Sequence, residues 1–169
     1  MAISTQIPVE EYLRTSYDPD CEYVDGEVVE RNAGEQDHSY VQKRLLVFLA
    51  AREKQWGIFV LQEWRMRVNE RRYRVPDLVI VAGPRPRSER VLSTPPLVAV
   101  EILSPEDRIS RMHQKIAEYL ALGVLYIWVL DPESKEAFVY TARGMEHVTD
   151  GILRTESPPI EIPLSEVFD

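Results

Sequence analysis

Two acidic residues in the middle of the chain occupy positions that a protein core normally reserves for apolar side chains. Asp77 directly precedes the apolar run 78–81, and Glu101 interrupts the apolar run 97–103. Both runs have the length and the β-branched content of buried strands. A carboxylate in such a strand is rarely buried unless it is paired or binds a metal. The pattern therefore predicts neighbouring strands that bring both carboxylates to one divalent cation, with ion pairs to nearby arginines as the alternative.

The two carboxylates also indicate which reaction such a site would catalyse. Mg²⁺ prefers oxygen ligands and is commonly held by one or two carboxylates together with waters and substrate phosphate. Asp77 and Glu101 supply this set, and the backbone carbonyl of Ile102 can add a third oxygen. A metal in this position lowers the pKa of a bound water and neutralises charge on a scissile phosphate. The pair therefore predicts Mg²⁺-dependent hydrolysis of phosphodiester bonds, with Mn²⁺ as a substitute.

Lys115 is a candidate for a second cation beside this site. It is one of only four lysines, and it lies in the stretch 106–122, whose apolar spacing predicts a helix that Gly123 ends. At roughly 100° per residue, Lys115 lies about 40° from Tyr119, at the edge of the apolar face. Its long stem can follow apolar surface and bring the ammonium group to the strand ends. There it would orient the attacking water or stabilise the transition state; a surface lysine is the alternative.

The distribution of charge is uneven along the chain. The formal net charge is −8, but the segment 65–90 contains eight arginines and three acidic residues, which gives +5 there and −13 elsewhere. A basic segment next to the carboxylates is what an enzyme acting on nucleic acid requires. Arg71, Arg72 and Arg74 are therefore candidates for binding DNA phosphates. A solvated, arginine-rich hairpin is the alternative interpretation.

Length and composition set further limits. A chain of 169 residues has the length of one domain, so we expect a single domain over residues 1–169. No apolar run approaches the roughly 20 residues that cross a bilayer, and the first residues lack the features of a signal peptide. Cys21 is the only cysteine, so it forms no internal disulfide and no zinc site on its own. These features predict a cytoplasmic protein with no membrane partner.

The elements that must position these residues alternate between hairpins and helices. Helices are expected over 8–14, 36–54 and 106–122, and strands over 58–68, 73–81, 97–103, 125–130 and 137–141. The pair Asp25-Gly26 predicts a tight turn within an N-terminal β-hairpin over 22–29. A strand–helix–strand unit inside a hairpin-rich chain predicts an α/β fold with a central mixed β-sheet flanked by helices.

The order of these motifs resembles the Uma-type family of restriction endonucleases, within the PD-(D/E)XK nuclease superfamily. The motifs that carry the resemblance are Val75-Pro76-Asp77, Val100-Glu101-Ile102-Leu103-Ser104-Pro105, Lys115 with Tyr119, Gly123, Trp128-Val129-Leu130-Asp131-Pro132, and the hairpin 22–28 followed by His38. They cover roughly residues 8–140. The resemblance implies a restriction-endonuclease-like core and an endodeoxyribonuclease, a hydrolase acting on ester bonds, that uses Mg²⁺.

The resemblance also implies roles for individual residues. Asp77 corresponds to the aspartate of the superfamily motif, and Glu101 corresponds to the acid of its E-x-K element. The lysine position of that element is Leu103 here. The resemblance implies that Lys115, on the following helix, takes the place of that lysine.

Two further positions are implied by the resemblance but remain open. His38 is implied to face the active site as a group that contacts the substrate or supports a ligand, although a histidine at a helix start also commonly caps or packs. The acid that the superfamily places upstream of its motif is either Glu22 or Glu27.

A catalytically degenerate nuclease-fold domain that binds nucleic acid or a protein partner is the alternative function. Many relatives carry an acid one helical turn before the lysine, where this chain has Arg111. An arginine ion-paired with both Asp77 and Glu101 would favour this alternative, whereas Mn²⁺ bound between them would favour the enzyme. Because a cut through both DNA strands needs two active sites, a homodimer is expected by analogy.

Overall fold

The computed structural model describes residues 6–31 and 35–169. The helices and strands in these ranges are, in chain order, α1 Val9–Arg14, β1 Cys21–Val24, β2 Glu27–Glu30, α2 Gln36–Ala50, α3 Glu53–Trp56, β3 Ile58–Gln62, β4 Met66–Asn69, β5 Arg72–Arg74, β6 Leu78–Ala82, β7 Val98–Ile102, α4 Ile109–Leu122, β8 Tyr126–Asp131, β9 Glu136–Thr141, β10 Gly144–His147, β11 Ile152–Glu156, β12 Pro159–Pro163 and α5 Ser165–Phe168.

The described strands form three sheets. A large sheet has the order β10-β9-β8-β7-β6-β3, a smaller one has the order β2-β1-β5-β4, and β11 pairs with β12. In the large sheet β7 and β8 are parallel, and the connection between them contains α4. The neighbouring pairs β6–β7 and β8–β9 are antiparallel. This arrangement confirms the predicted α/β fold with a central mixed sheet flanked by helices.

The central strands of the large sheet, β6, β7 and β8, are buried on both faces, which explains their long apolar runs. One face packs against α2, α5 and the β11–β12 pair. The other face, which includes Val79 and Ala99, packs against α4 and β4. Because side chains alternate along a strand, Asp77 shares the face of Val79 and Glu101 shares the face of Ala99. Both carboxylates therefore point toward the α4 side of the sheet.

The prediction of two long strands over 58–68 and 73–81 was wrong, because the chain changes sheets within each segment. β3 pairs with β6 in the large sheet, whereas β4 pairs with β5 in the small one. The first break includes Glu63, whose φ is +51°. The second includes Pro76, which has no N–H to donate to a strand ladder. The second break leaves Asp77 at the start of β6, where the two sheets meet.

Helix boundaries also differ from the prediction. The helix expected to reach Lys54 ends at Ala50 and is followed by the short α3. α4 begins at Ile109 because Arg108 has an extended backbone, and it ends as predicted at Gly123, which has a left-handed conformation. None of the helices in the described ranges is long and apolar enough to cross a membrane.

Candidate active site

Asp77 and Glu101 lie at the same end of neighbouring strands. The register pairs Leu78 with Val100, one residue inside each carboxylate, and the backbone N–H of Asp77 donates to the carbonyl of Val100 at 3.0 Å. Both acidic residues are buried, with 3 % of their surface exposed. The antiparallel pairing thus brings together the two carboxylates on which the sequence prediction depends.

The contacts of Asp77 stabilise its ionised form. Its Oδ2 accepts the backbone N–H of Ile102 at 2.7 Å, and its Oδ1 contacts the guanidinium of Arg31 and lies 3.3 Å from Nε2 of His38. Burial alone would raise the pKa of Asp77, but the contacts with His38, Arg31 and Ile102 outweigh burial and lower this pKa. Asp77 is therefore a carboxylate whose negative charge is balanced.

His38 lies beside Asp77, where the family resemblance implied that it would be. Burial would lower the pKa of His38, but its hydrogen bond with Asp77 and the negative charge of that residue raise it. Its Nδ1 is buried and has no hydrogen-bond partner among the residues that the structure describes. His38 therefore supports Asp77 and keeps one ring nitrogen for a further contact.

The contacts of Glu101 compensate its charge less completely. Its Oε1 accepts the hydroxyl of Tyr119 at 2.5 Å, and its Oε2 lies 3.1 Å from Nζ of Lys115. The pKa of Glu101 is nevertheless raised, first because of burial and then because Asp77 and Glu22 are negatively charged neighbours. Burial and these two neighbouring acids together outweigh the contacts with Lys115 and Tyr119 that favour ionised Glu101.

Lys115 connects Glu101 to the small sheet. Its ammonium group lies 2.9 Å from Oε1 of Glu22 and 3.1 Å from Oε2 of Glu101. Burial would lower the pKa of Lys115, but Glu101 and Glu22 raise it, so the group stays charged. The upstream acid in contact with the site is therefore Glu22, on β1, whereas Glu27 is exposed on β2.

A layer of ion pairs behind Lys115 fastens the small sheet to α4. Arg74 contacts Glu22 at 2.9 Å and Glu118 at 2.7 Å. Arg72 contacts Glu118 and Asp25, each at 2.5 Å. These arginines hold β1 and β5 against the helix that carries Lys115.

The structure separates the three arginines that the sequence grouped as phosphate ligands. The side chain of Arg74 is only 2 % exposed and contacts carboxylates, so its expected role in binding DNA is not supported. Arg72 is also engaged by two carboxylates. The side chain of Arg71 is 72 % exposed, with Asp25 at 3.7 Å. Of the three, Arg71 is therefore the one placed to reach a ligand from solvent.

Sequence reasoning missed two side chains that contact the carboxylates. Tyr119 was recognised as part of a motif but not as a donor to Glu101, although its position one helical turn after Lys115 was a usable signal. Arg31 follows the N-terminal hairpin and reaches Asp77 across 46 residues of sequence. No spacing rule indicates such a contact, because it depends on how the small sheet packs on the large one.

A small cleft of about 40 Å³ opens over the carboxylates. It is lined by residues of both sheets, of α2 and α4, and of the loop after β7: Glu22, Glu30, Arg31, His38, Asp77, Glu101, Ile102, Ser104, Asp107, Arg111 and Lys115. Arg111 therefore faces the site. The volume exceeds the roughly 10–15 Å³ that one water requires, so the cleft has space for a small ion with part of its water shell.

The chemistry of the donor atoms fits a hard divalent cation. Within the described ranges, no group of three or more His, Cys, Asp or Glu side chains is arranged as a metal site. Mg²⁺ does not require such a group, because one or two carboxylates with waters and substrate phosphate commonly suffice. Asp77 and Glu101 supply two carboxylates, and the raised pKa of Glu101 marks a position that an additional positive charge would stabilise.

Comparison with known proteins agrees with this fold. No curated protein is significantly similar to the chain. The chain is similar to a crystal structure from Anabaena variabilis, described as "a putative nuclease belonging to DUF820", with 22 % identity, coverage of 96 % of this chain and 97 % of that one, and a TM-score of 0.82. A family model described as "Uma2: Putative restriction endonuclease" matches residues 9–167. Because this match covers nearly the whole sequence, the chain belongs to the Uma2 family.

Proposed function

We propose that this protein is a Mg²⁺-dependent endonuclease that hydrolyses phosphodiester bonds in DNA, with residues 1–169 acting as one domain. The observation that carries the proposal is the pair of buried carboxylates, Asp77 and Glu101, at adjacent strand ends with the charged Lys115 in contact. The description of the Uma2 family supports the reaction class. Mn²⁺ is expected to replace Mg²⁺, because both accept carboxylate and water ligands.

In this proposal Asp77 and Glu101 hold the metal, and the backbone carbonyl of Ile102 adds an oxygen ligand. A bound Mg²⁺ would supply a water of lowered pKa and neutralise charge on the phosphate. Lys115 keeps its ammonium charged beside Glu101, where it orients the attacking water or stabilises negative charge on the phosphate. His38 supports Asp77 through its Nε2.

The substrate contacts outside the cleft are expected to be electrostatic. Arg71 is exposed on the turn that follows β4, within the segment of positive net charge. A homodimer would supply the second active site that cleavage of both DNA strands requires. The role of Arg71 is proposed from its exposure and charge, and the homodimer from the need for two active sites.

The contacts of the two carboxylates favour an enzyme over a degenerate binding domain. A degenerate site was expected to show an arginine ion-paired with both acids. Among the described residues, the partners of Arg31 are Asp77 and Glu63, whereas Glu101 is paired by Lys115. The lysine expected to act in the reaction is thus present, charged and in contact with its carboxylate.

Cleavage of supercoiled plasmid in Mg²⁺, Mn²⁺ and EDTA tests the proposal. We expect nicking that requires the metal and that is abolished by Asp77→Asn and by Glu101→Gln. Glu161→Gln, which removes an exposed carboxylate on β12, is the matched control and should cleave as the wild type does. Full activity of either site variant, or activity of the wild type in EDTA, would contradict the proposal.

A further inference from the structure

Arg31 forms an ion pair with Asp77, one of the two carboxylates proposed to bind the metal. Its guanidinium contacts Oδ1 of Asp77, and its side chain is only 15 % exposed. The same guanidinium lies 3.4 Å from Oε1 of Glu63. Arg31 thus bridges a buried carboxylate inside the cleft and a more exposed carboxylate, Glu63, that does not line it.

Oδ1 of Asp77 has no lone pair left for a metal while Arg31 and His38 both contact it. Oδ2 accepts the backbone N–H of Ile102, which the strand β7 fixes in place. Oδ1 is shared between Arg31 and His38. A divalent cation on Oδ1 would face the positive guanidinium at close range, and two like charges so close in a buried site strongly repel each other. A metal that binds Oδ1 of Asp77 is therefore expected to displace Arg31 rather than share that oxygen with it.

Glu63 provides a position to which Arg31 can move. Its side chain is 39 % exposed, so a guanidinium bound there alone would remain hydrated. Its backbone N–H donates to the carbonyl of Asp77 at 3.1 Å, and Gln42 donates to that same carbonyl at 3.1 Å. Glu63 is thus held next to Asp77 by the backbone, and Arg31 can transfer by rotating its side chain.

We propose that Arg31 is an internal competitor of the metal: its guanidinium neutralises Asp77 in the metal-free protein and moves to Glu63 when a divalent cation binds. This inference rests on the proposed metal-dependent function and adds a conformational step to it. The step keeps a buried carboxylate paired in the absence of metal, because an unpaired buried charge is strongly destabilising. It also lowers the apparent affinity for the metal by the fraction of molecules in which Arg31 covers Asp77.

Calorimetric titration of metal-free protein with Mn²⁺, in the absence of DNA, tests this step. Arg31→Gln should bind Mn²⁺ about tenfold more tightly than the wild type, as expected if Arg31 covers Asp77 in roughly nine molecules out of ten. Arg154→Gln is the matched control, because Arg154 also bridges two carboxylates, Asp150 at 2.5 Å and Glu161 at 3.5 Å, both of them exposed. It should bind Mn²⁺ as the wild type does.

A double-mutant cycle with Glu63 separates the exchange from general electrostatics. Glu63→Gln removes the second partner of Arg31 and should weaken Mn²⁺ binding in the wild-type background. In the Arg31→Gln background the same change should have little effect, because no guanidinium remains to be moved. An equal effect of Glu63→Gln in both backgrounds would show that Glu63 acts on the metal only through its charge, and would overturn the exchange.

The outcomes also distinguish this inference from the proposed function. If the wild type binds Mn²⁺ and Arg31→Gln binds it equally or more weakly, the competition is wrong while the metal site stands. If neither protein binds Mn²⁺, the proposed metal dependence fails and the competition fails with it.

Should Arg31→Gln not fold, the NMR resonance of the Arg31 Nε–H in the wild type gives a direct answer. It should shift on addition of Mg²⁺, and an unchanged resonance at saturating metal would overturn the proposal.

Discussion

The two halves of the candidate site hold their carboxylates in opposite electrostatic states. Asp77 is contacted by Arg31, His38 and a backbone N–H, and its pKa is lowered despite burial. Glu101 is contacted by Lys115 and Tyr119, and its pKa is raised by burial and by neighbouring acids. Both residues are buried on the same face of the same sheet. Burial therefore does not decide the difference; the charges that each half receives from other elements decide it.

This asymmetry indicates how the site would respond to a cation. The Asp77 half already contains a positive side chain, Arg31, which we propose a metal displaces. In the Glu101 half, Lys115 is shared between Glu101 and Glu22, and the pKa of Glu101 remains raised. A metal would therefore gain most of its electrostatic stabilisation from Glu101, whereas its access is controlled at Asp77.

The largest expected effect tests the role of the lysine in the Glu101 half. Lys115→Met keeps the aliphatic stem and removes the charge, so turnover should fall about 10²-fold or more, as for the loss of other donors to a transition state. Lys115→Arg should restore only part of the rate, because a planar guanidinium does not replace a compact ammonium. Turnover is measured under saturating Mg²⁺.

Lys135→Met is the control for this change, because Lys135 forms an exposed ion pair with Asp169. It should cleave at the wild-type rate. Wild-type turnover of Lys115→Met would show that Lys115 has only a structural role, and the asymmetry between the two halves would then have no catalytic meaning.

The two carboxylates should also differ in their effect on stability. In metal-free protein at neutral pH, Asp77→Asn should lower the free energy of unfolding by about 1–3 kcal/mol, because it breaks buried charged hydrogen bonds. Glu101→Gln should raise the melting temperature, because the raised pKa means that ionised Glu101 destabilises the folded protein. Thermal unfolding measures both changes.

The gain from Glu101→Gln should shrink as the pH is lowered. Wild-type Glu101 has a folded pKa above its unfolded value, so it takes up a proton on acidification before the unfolded chain does, and its destabilising effect is relieved. Changes of the same sign and size for both variants at all pH values would contradict the opposite electrostatic states.

Glu22, the other carboxylate in contact with Lys115, gives a further test of these electrostatic states. Burial would raise the pKa of Glu22, but Lys115, Arg74 and the backbone N–H of Val75 lower it below the ordinary value of 4.5. Its stabilising contribution is therefore complete above about pH 4.5 and is lost as the pH falls through the lower folded pKa. Glu22→Gln should be less stable than the wild type at neutral pH, and this difference should diminish in acid. A difference that does not change with pH would indicate a packing effect alone.

The smallest expected effect concerns the arginines around the Glu101 half. Arg71→Gln should weaken DNA binding and flatten the plot of log affinity against log salt by about 0.9 for one lost contact to duplex phosphate. Arg74→Gln should instead lower the melting temperature, because it removes the buried cation that pairs with both Glu22 and Glu118. Fluorescence anisotropy over a range of salt concentrations measures the slope, and an unchanged slope for Arg71→Gln would exclude a phosphate contact by this residue.

The sequence by itself determined the sheet strands that carry the two carboxylates. The apolar runs around Asp77 and Glu101 have the length and β-branched content of buried strands, and an acid buried in such a run needs a partner. The helix carrying Lys115 and its end at Gly123 were also readable, because they depend on local periodicity and on backbone conformation. Local patterns were sufficient for these features because their physical causes are local.

The tertiary structure alone decided what each carboxylate contacts. Periodicity left Lys115 at the edge of an apolar face, and only the packing of β1 and β7 against α4 placed it between Glu22 and Glu101. The burial of Arg74 and the approach of Arg31 to Asp77 likewise depend on how the small sheet meets the large one. The energies of such contacts depend on burial and on distances between residues far apart in the chain. A linear pattern encodes neither quantity, so it identified the charged residues of the site but not how their charges are balanced.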